Sequence, residues 1–133
     1  LRAPTRIGTE FNFTDRIEHR LLAGADMCLM PSMYEPCGLT QMRAQRYGAI
    51  PIARRVGGLA DTIEDGVTGF LFDEYSSESF MDAAVRALDH YQDRAGWQAM
   101  LREAMSREFG WERSEARYRE LYRRVLAYHA ARG

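Results

Sequence analysis

Apolar positions fall into two regimes along this chain: short unbroken runs in the first half, and stripes spaced by three and four in the second. The run Met27-Cys28-Leu29-Met30, closed by Pro31-Ser32, is unperiodic and predicts a buried parallel strand rather than a helix. Ile50-Pro51-Ile52-Ala53 reads the same way. Ahead of the first strand, residues 14–23 predict a helix with Thr14 as N-cap, Ile17, Leu21 and Leu22 on one face, and Gly24 as its stop. Between the strands, residues 39–47 carry good helix formers and end at Gly48, giving the strand, helix, strand succession of a right-handed parallel crossover. Residues 54–58 read as a loop and 59–63 as a short helical piece, and Asp65-Gly66 marks a turn before a further strand over 68–72.

From Ser76 onward the period is helical. Phe80, Ala83, Ala84, Ala87, Leu88 and Tyr91 form one stripe, and Trp97, Met100, Leu101, Ala104 and Met105 a second. Tyr118, Leu121, Tyr122, Val125 and Leu126 form a third. Each stripe is read as core packing in preference to a cofactor-binding face. The sum is an α/β layout with a C-terminal run of helices, short of strands for a full doubly wound sheet. The expectation is one domain over residues 1–133 whose beginning lies further upstream; the lack of an initiator Met points the same way.

Composition narrows the function. Eighteen basic residues oppose nineteen acidic ones in 133, a formal charge of −1, so no cationic field draws nucleic acid or an anionic membrane surface. No apolar run approaches a membrane span and no signal peptide opens the chain, which gives the expectation of a soluble, cytoplasmic protein. Cys28 and Cys37 lack metal or redox spacing and are expected to be reduced. His19, His90 and His129 are too scattered to suggest a ligand set.

The chemistry concentrates in residues 31–41, between a buried strand and a helix, where open α/β sheets bind ligands. Gly38 permits close backbone approach, and the amides of Leu39, Thr40 and Gln41 at the helix start suit an anion such as a diphosphate. Thr40 adds a hydroxyl. Pro36 biases Glu35 toward an extended conformation, where its two carboxylate oxygens suit adjacent sugar hydroxyls. The local pattern also fits a plainer reading, in which Glu35 begins a helix and Gly38 makes a turn.

A resemblance separates the two. Residues 31–41, with Tyr47-Gly48, the stretch Arg54-Arg55-Val56-Gly57-Gly58-Leu59-Ala60-Asp61-Thr62 and Asp65-Gly66-Val67-Thr68-Gly69-Phe70, resemble bacterial glycogen synthase and plant starch synthase. The likeness runs on through Phe109-Gly110-Trp111 and covers nearly the whole chain. It implies the Rossmann-like C-terminal lobe of a two-lobed GT-B glycosyltransferase, a parallel sheet with flanking helices, with the N-terminal lobe and the start of this lobe outside the sequence. It implies a retaining transfer of glucose from ADP-glucose to an α-1,4-glucan, with no cofactor and no metal.

By that resemblance Glu35 contacts the donor glucose, Cys37, Gly38, Leu39 and Thr40 line sugar and diphosphate, and Phe13 stacks beside adenine. For Phe13 a place in the core at a strand end remains open; for Gly57 and Gly58 both a loop passing close to sugar and a simple tight turn remain open. Arg54 and Arg55 are candidates for neutralising phosphate, although the family's main phosphate cations, an Arg and a Lys, would precede Leu1. Arg43 and Gln45 depart from the family pattern; on a helix both are expected to face solvent, with altered donor contacts as the alternative. Two rival functions stay open: a UDP-sugar enzyme of the same fold, and a non-catalytic nucleotide- or glucan-binding module. The 133 residues alone are expected to be inactive.

Overall fold

A computed structural model describes residues 6–131. Three parallel strands, β1 (Met27–Met30), β2 (Ile50–Arg54) and β3 (Phe70–Phe72), form a sheet in the order β1-β2-β3. Met27 pairs with Ile50 and Ile52 with Phe70, so β2 lies in the centre. Around the sheet lie α1 (Asp15–Gly24), α2 (Thr40–Tyr47), α3 (Gly57–Thr62), α4 (Ser77–Gln92) and α5 (Arg94–Ser106), followed by α6 (Trp111–Ala130).

The period-two alternation of a strand divides the core between the two faces. Ile50, Ile52, Phe70 and Phe72 pack on one face with Ala83, Ala87, Trp97, Met100 and Ala104 of α4 and α5. Ala53 and Leu71, turned the other way, meet Leu59 and Ile63. A third cluster, Leu22, Ala44 and Ala49, joins α1 to α2. Local signals set the helix ends. The Thr14, Ser76 and Asp93 side chains accept from Ile17, Ser79 and Ala95 amides respectively, and Gly48 at φ +78° closes α2 in the left-handed region that glycine favours.

Four expectations change. β3 starts at Phe70 rather than residue 68, because Thr68 turns its hydroxyl inward to accept from the Glu64 amide at 2.9 Å. The loop after β2 is shorter than 54–58, since the strand runs to Arg54 and α3 begins at Gly57. Leu21, Leu88, Tyr91 and Met105 belong to apolar stripes but are exposed. The third stripe is not core at all: Tyr118, Leu121, Tyr122, Val125 and Leu126 are 46 to 69% exposed. Periodicity marks a helix face as apolar without supplying anything for it to meet, and no other described element packs extensively against α6.

Candidate functional site

The loop from Pro31 to Leu39 leaves the C-terminal end of β1 and enters α2, and its shape is set by contacts from α3. The Gly58 amide donates to the Glu35 carbonyl oxygen at 3.1 Å. A β-carbon on Gly57 would overlap that same carbonyl, and one on Gly58 would overlap the carbonyl of Cys37. Gly57 also sits at φ +48°. The glycine pair thus serves close backbone approach, and what it approaches is the Glu35–Cys37 backbone.

Gln41 locks the loop from below. Its side chain is fully buried, and Nε2 donates to the carbonyls of Gly38 at 2.8 Å and Cys37 at 3.0 Å and to Thr62 Oγ1 at 3.0 Å. Thr62 Oγ1 in turn donates to the Gly58 carbonyl at 2.5 Å, and Gln45 Nε2 donates to the Thr62 carbonyl at 3.1 Å. Gln45 is therefore interior, contrary to the solvent-facing expectation. α2 is short and enclosed by α1, α3, α5 and the sheet, so little of it is left to face water.

Against this frame the chemistry-bearing groups divide. Among the described residues nothing pairs with the half-buried Glu35 carboxylate, and nothing accepts from the amides of Leu39, Thr40, Gln41 or Met42. These are the first-turn donors that a helix leaves unsatisfied, directed where its dipole favours an anion. Cys37 and Leu39 are exposed on the same turn, and Gly38 holds φ +70°. Phe13 is 71% exposed, which removes it from the core, and lines one cleft of about 350 Å³ together with Thr40, Leu22 and Leu29.

The arginines are committed elsewhere. Arg54 donates to the carbonyls of Met33 at 2.8 Å and Asp73 at 3.2 Å, with its guanidinium 5.3 Å from the Tyr75 ring centre. Arg55 pairs with Asp73 at 2.8 Å and Asp65 at 3.8 Å. Arg54 ties the site loop to the exit of β3, a structural use of the cation that precedes any contact with phosphate.

Glu18, on α1, was not singled out by sequence. It is only 5% exposed; Oε1 accepts from Thr40 Oγ1 at 2.6 Å, and Oε2 is ion-paired with Arg43. The Thr40 hydroxyl bond is the main cause holding this carboxyl below the usual range; burial opposes it, and the Arg43 bond and charge add to it. Arg43, also 3.9 Å from Asp15, turns toward α1 instead of standing free in solvent as expected. Burial, followed by the Glu18 charge, raises the thiol of Cys28.

The signals for these supports were uneven. Gln41 follows Gly38 by three residues and Cys37 by four, so its reach back into the loop was legible in principle. Glu18 lies 22 and 25 residues from its partners, and no local pattern announces it. The histidines stay apart: His19 bonds Tyr47 Oη at 3.0 Å, His90 lies against Phe70 and Trp97, and His129 is on α6. Among the described residues no group of three or more His, Cys, Asp or Glu could hold a metal ion, and no helix is long and apolar enough to cross a membrane.

Known proteins resemble this chain in sequence and in fold. Glycogen synthase of Thermodesulfovibrio yellowstonii is 48% identical over 123 residues, 92% of this chain and 25% of that relative. Glycogen synthase of Pseudomonas savastanoi pv. phaseolicola is 50% identical over 94% of this chain and 26% of its own length. The chain thus spans about a quarter of the curated relatives it matches. The catalytic domain of starch synthase IV from Arabidopsis thaliana, solved bound to ADP and acarbose, superposes with a TM-score of 0.78 at 38% identity, over 88% of this chain and 26% of that one. Sucrose-phosphate synthase from Thermosynechococcus elongatus gives 0.72 at 27% identity, over 96% of this chain and 32% of that one. The three-stranded parallel sheet with flanking helices is accordingly the GT-B arrangement expected from the sequence. Residues 5–103 match the family model described as glycosyl transferases group 1, and the chain belongs to that family.

Proposed function

We propose that residues 1–133 are part of the C-terminal nucleotide-sugar-binding lobe of a glycogen or starch synthase, a cytoplasmic enzyme transferring glucose from ADP-glucose to the non-reducing end of an α-1,4-glucan with retention. The observation that carries this reading is the unpaired Glu35 carboxylate on a backbone clamped by Gly58 and Gln41, beside the open amides that begin α2.

In this reading the diphosphate lies against the amides from Leu39 onward, where helix dipole and free N–H groups stabilise the departing ADP without reorganising. Glu35 accepts from sugar hydroxyls and orients the ring; it is not the nucleophile. Phe13 stacks on adenine at one side of the cleft that Thr40 also lines. The acceptor glucan meets the donor from an N-terminal lobe, the additional phosphate cations come from residues that would precede Leu1, and the transfer needs neither metal nor cofactor.

A helix start supplies at most ~2 kcal/mol to an anion, whereas millimolar binding requires about 4 kcal/mol. Residues 1–133 alone therefore bind ADP weakly and do not turn over ADP-glucose. The test uses the longest reading frame containing residues 1–133, with ADP-glucose and UDP-glucose compared as donors to glycogen for wild type and Glu35→Ala. Preference for ADP-glucose and a loss of kcat of at least a hundredfold in Glu35→Ala support the proposal. Preference for UDP-glucose points to another donor class; no transfer from either points to a binding module; and unchanged turnover in the variant removes Glu35 from its role.

A further inference from the structure

The Thr40 hydroxyl has one hydrogen, and Glu18 holds it. The Oγ1–Oε1 distance of 2.6 Å is that of a charge-assisted bond, and Glu18, only 5% exposed, borders the same cleft as Thr40. The ionised oxygens of a diphosphate accept and do not donate, so Thr40 can serve them only by turning that hydrogen away from Glu18. Glu18 would then keep Arg43 alone. Thr40 is also the first residue of α2, so this competition falls at the point where the diphosphate is placed above.

We infer that Glu18 is a positioning residue that sets the affinity of this site for nucleoside diphosphates by withholding the Thr40 hydroxyl, with Arg43 as its counter-charge. The inference rests on the diphosphate reading and goes beyond it, because it makes Thr40 a donor held in reserve. Two features support a built-in role over incidental packing. Both oxygens of the buried carboxylate are satisfied, each by a different α2 side chain. Both of those side chains project toward α1, which begins two residues after Phe13 and borders the same cleft.

A double-mutant cycle on the longest reading frame containing residues 1–133 tests this, using calorimetric titration of ADP and, separately, of inorganic pyrophosphate. Wild type, Glu18→Ala, Thr40→Val and the double variant complete the cycle; Glu18→Gln, which keeps an acceptor oxygen and removes the charge, serves where Glu18→Ala folds poorly. The expected result is about tenfold tighter ADP binding in Glu18→Ala, a smaller gain in Glu18→Gln, and less than about twofold change in Thr40→Val. In the double variant most of the gain is lost. Pyrophosphate follows the same order.

A Glu18 that serves structure alone lowers the thermal midpoint and leaves the two substitutions additive in affinity, which overturns the inference. So does a tenfold loss on Thr40→Val with no gain on Glu18→Ala, because the hydroxyl would then already serve phosphate. In both cases wild type still binds ADP and the functional reading survives. Wild type that binds neither ADP nor pyrophosphate overturns the functional reading, and this inference with it.

Discussion

Gly58 and Cys37 are packed backbone to backbone, so closely that a single methyl group on Gly58 would collide with the Cys37 carbonyl. Residues twenty-one positions apart are thereby joined with no side chain between them. The Gly58 amide extends the contact to Glu35, and Thr62 and Gln41 brace it from α3 and α2. The loop is shaped largely by backbone contact, which holds a carboxylate and a row of amides in fixed relation.

Gly58→Ala is the sharpest test of that frame. Its β-carbon must displace the Cys37 carbonyl or shift α3, and overpacking of this kind destabilises by roughly 1–3 kcal/mol. Affinity for ADP should fall by at least tenfold, because the amides beginning α2 move with the loop. A chemical-denaturation curve paired with an ADP titration checks both; an alanine variant with wild-type affinity would show that the close approach has no bearing on the site.

The two halves of the helical region should differ sharply in their tolerance. Trp97 is buried in the main cluster, 4.9 Å from Tyr91 ring to ring, and Trp97→Ala should cost about 3–5 kcal/mol. Leu121 and Leu126 are exposed on α6, and a Leu121→Ser, Leu126→Ser double variant of residues 1–133 should change stability by less than about 1 kcal/mol. Thermal melts of the three proteins measure this. Comparable losses would mean that α6 packs against the domain after all.

Glu18 carries an acid dependence of known sign. Its folded-state pKa is depressed, chiefly by the Thr40 hydroxyl, so its contribution is complete above the ordinary glutamate value of about 4.3 and is lost as pH falls through the lower folded value. Wild type should therefore exceed Glu18→Gln in stability at about pH 6, with the difference shrinking steadily below about pH 4. Thr40, Arg43 and His19 are the polar neighbours that shape this titration. A stability difference independent of pH between the two proteins would contradict the assignment.

How much of this could be read from residues alone follows from the range of each interaction. The strands at Met27 and Ile50, the caps at Thr14 and Gly48, and the stripe through Trp97 depend on neighbours within a turn or a strand, and they were legible. So was the position of the loop from β1 to α2, because Pro31-Ser32 closes the strand and the helix formers begin just after Gly38. The use of Gly57 and Gly58 was only half legible: glycine announces close approach, but its target lay some twenty residues upstream. Arg43 and Gln45 were misread because polar side chains on a short helix look solvent-facing until α1 and α3 are placed against them. The stripe on α6 was misread for the opposite reason, since no described element packs extensively against its apolar face.

The decisive measurement is a crystal structure of the longest reading frame containing residues 1–133, grown with ADP. The expected density puts the diphosphate within hydrogen-bonding distance of the amides of Leu39, Thr40 and Gln41, with Glu35 facing the side from which a sugar would extend and Phe13 against the adenine. ADP bound away from the start of α2, or Glu35 turned from the terminal phosphate, would contradict it.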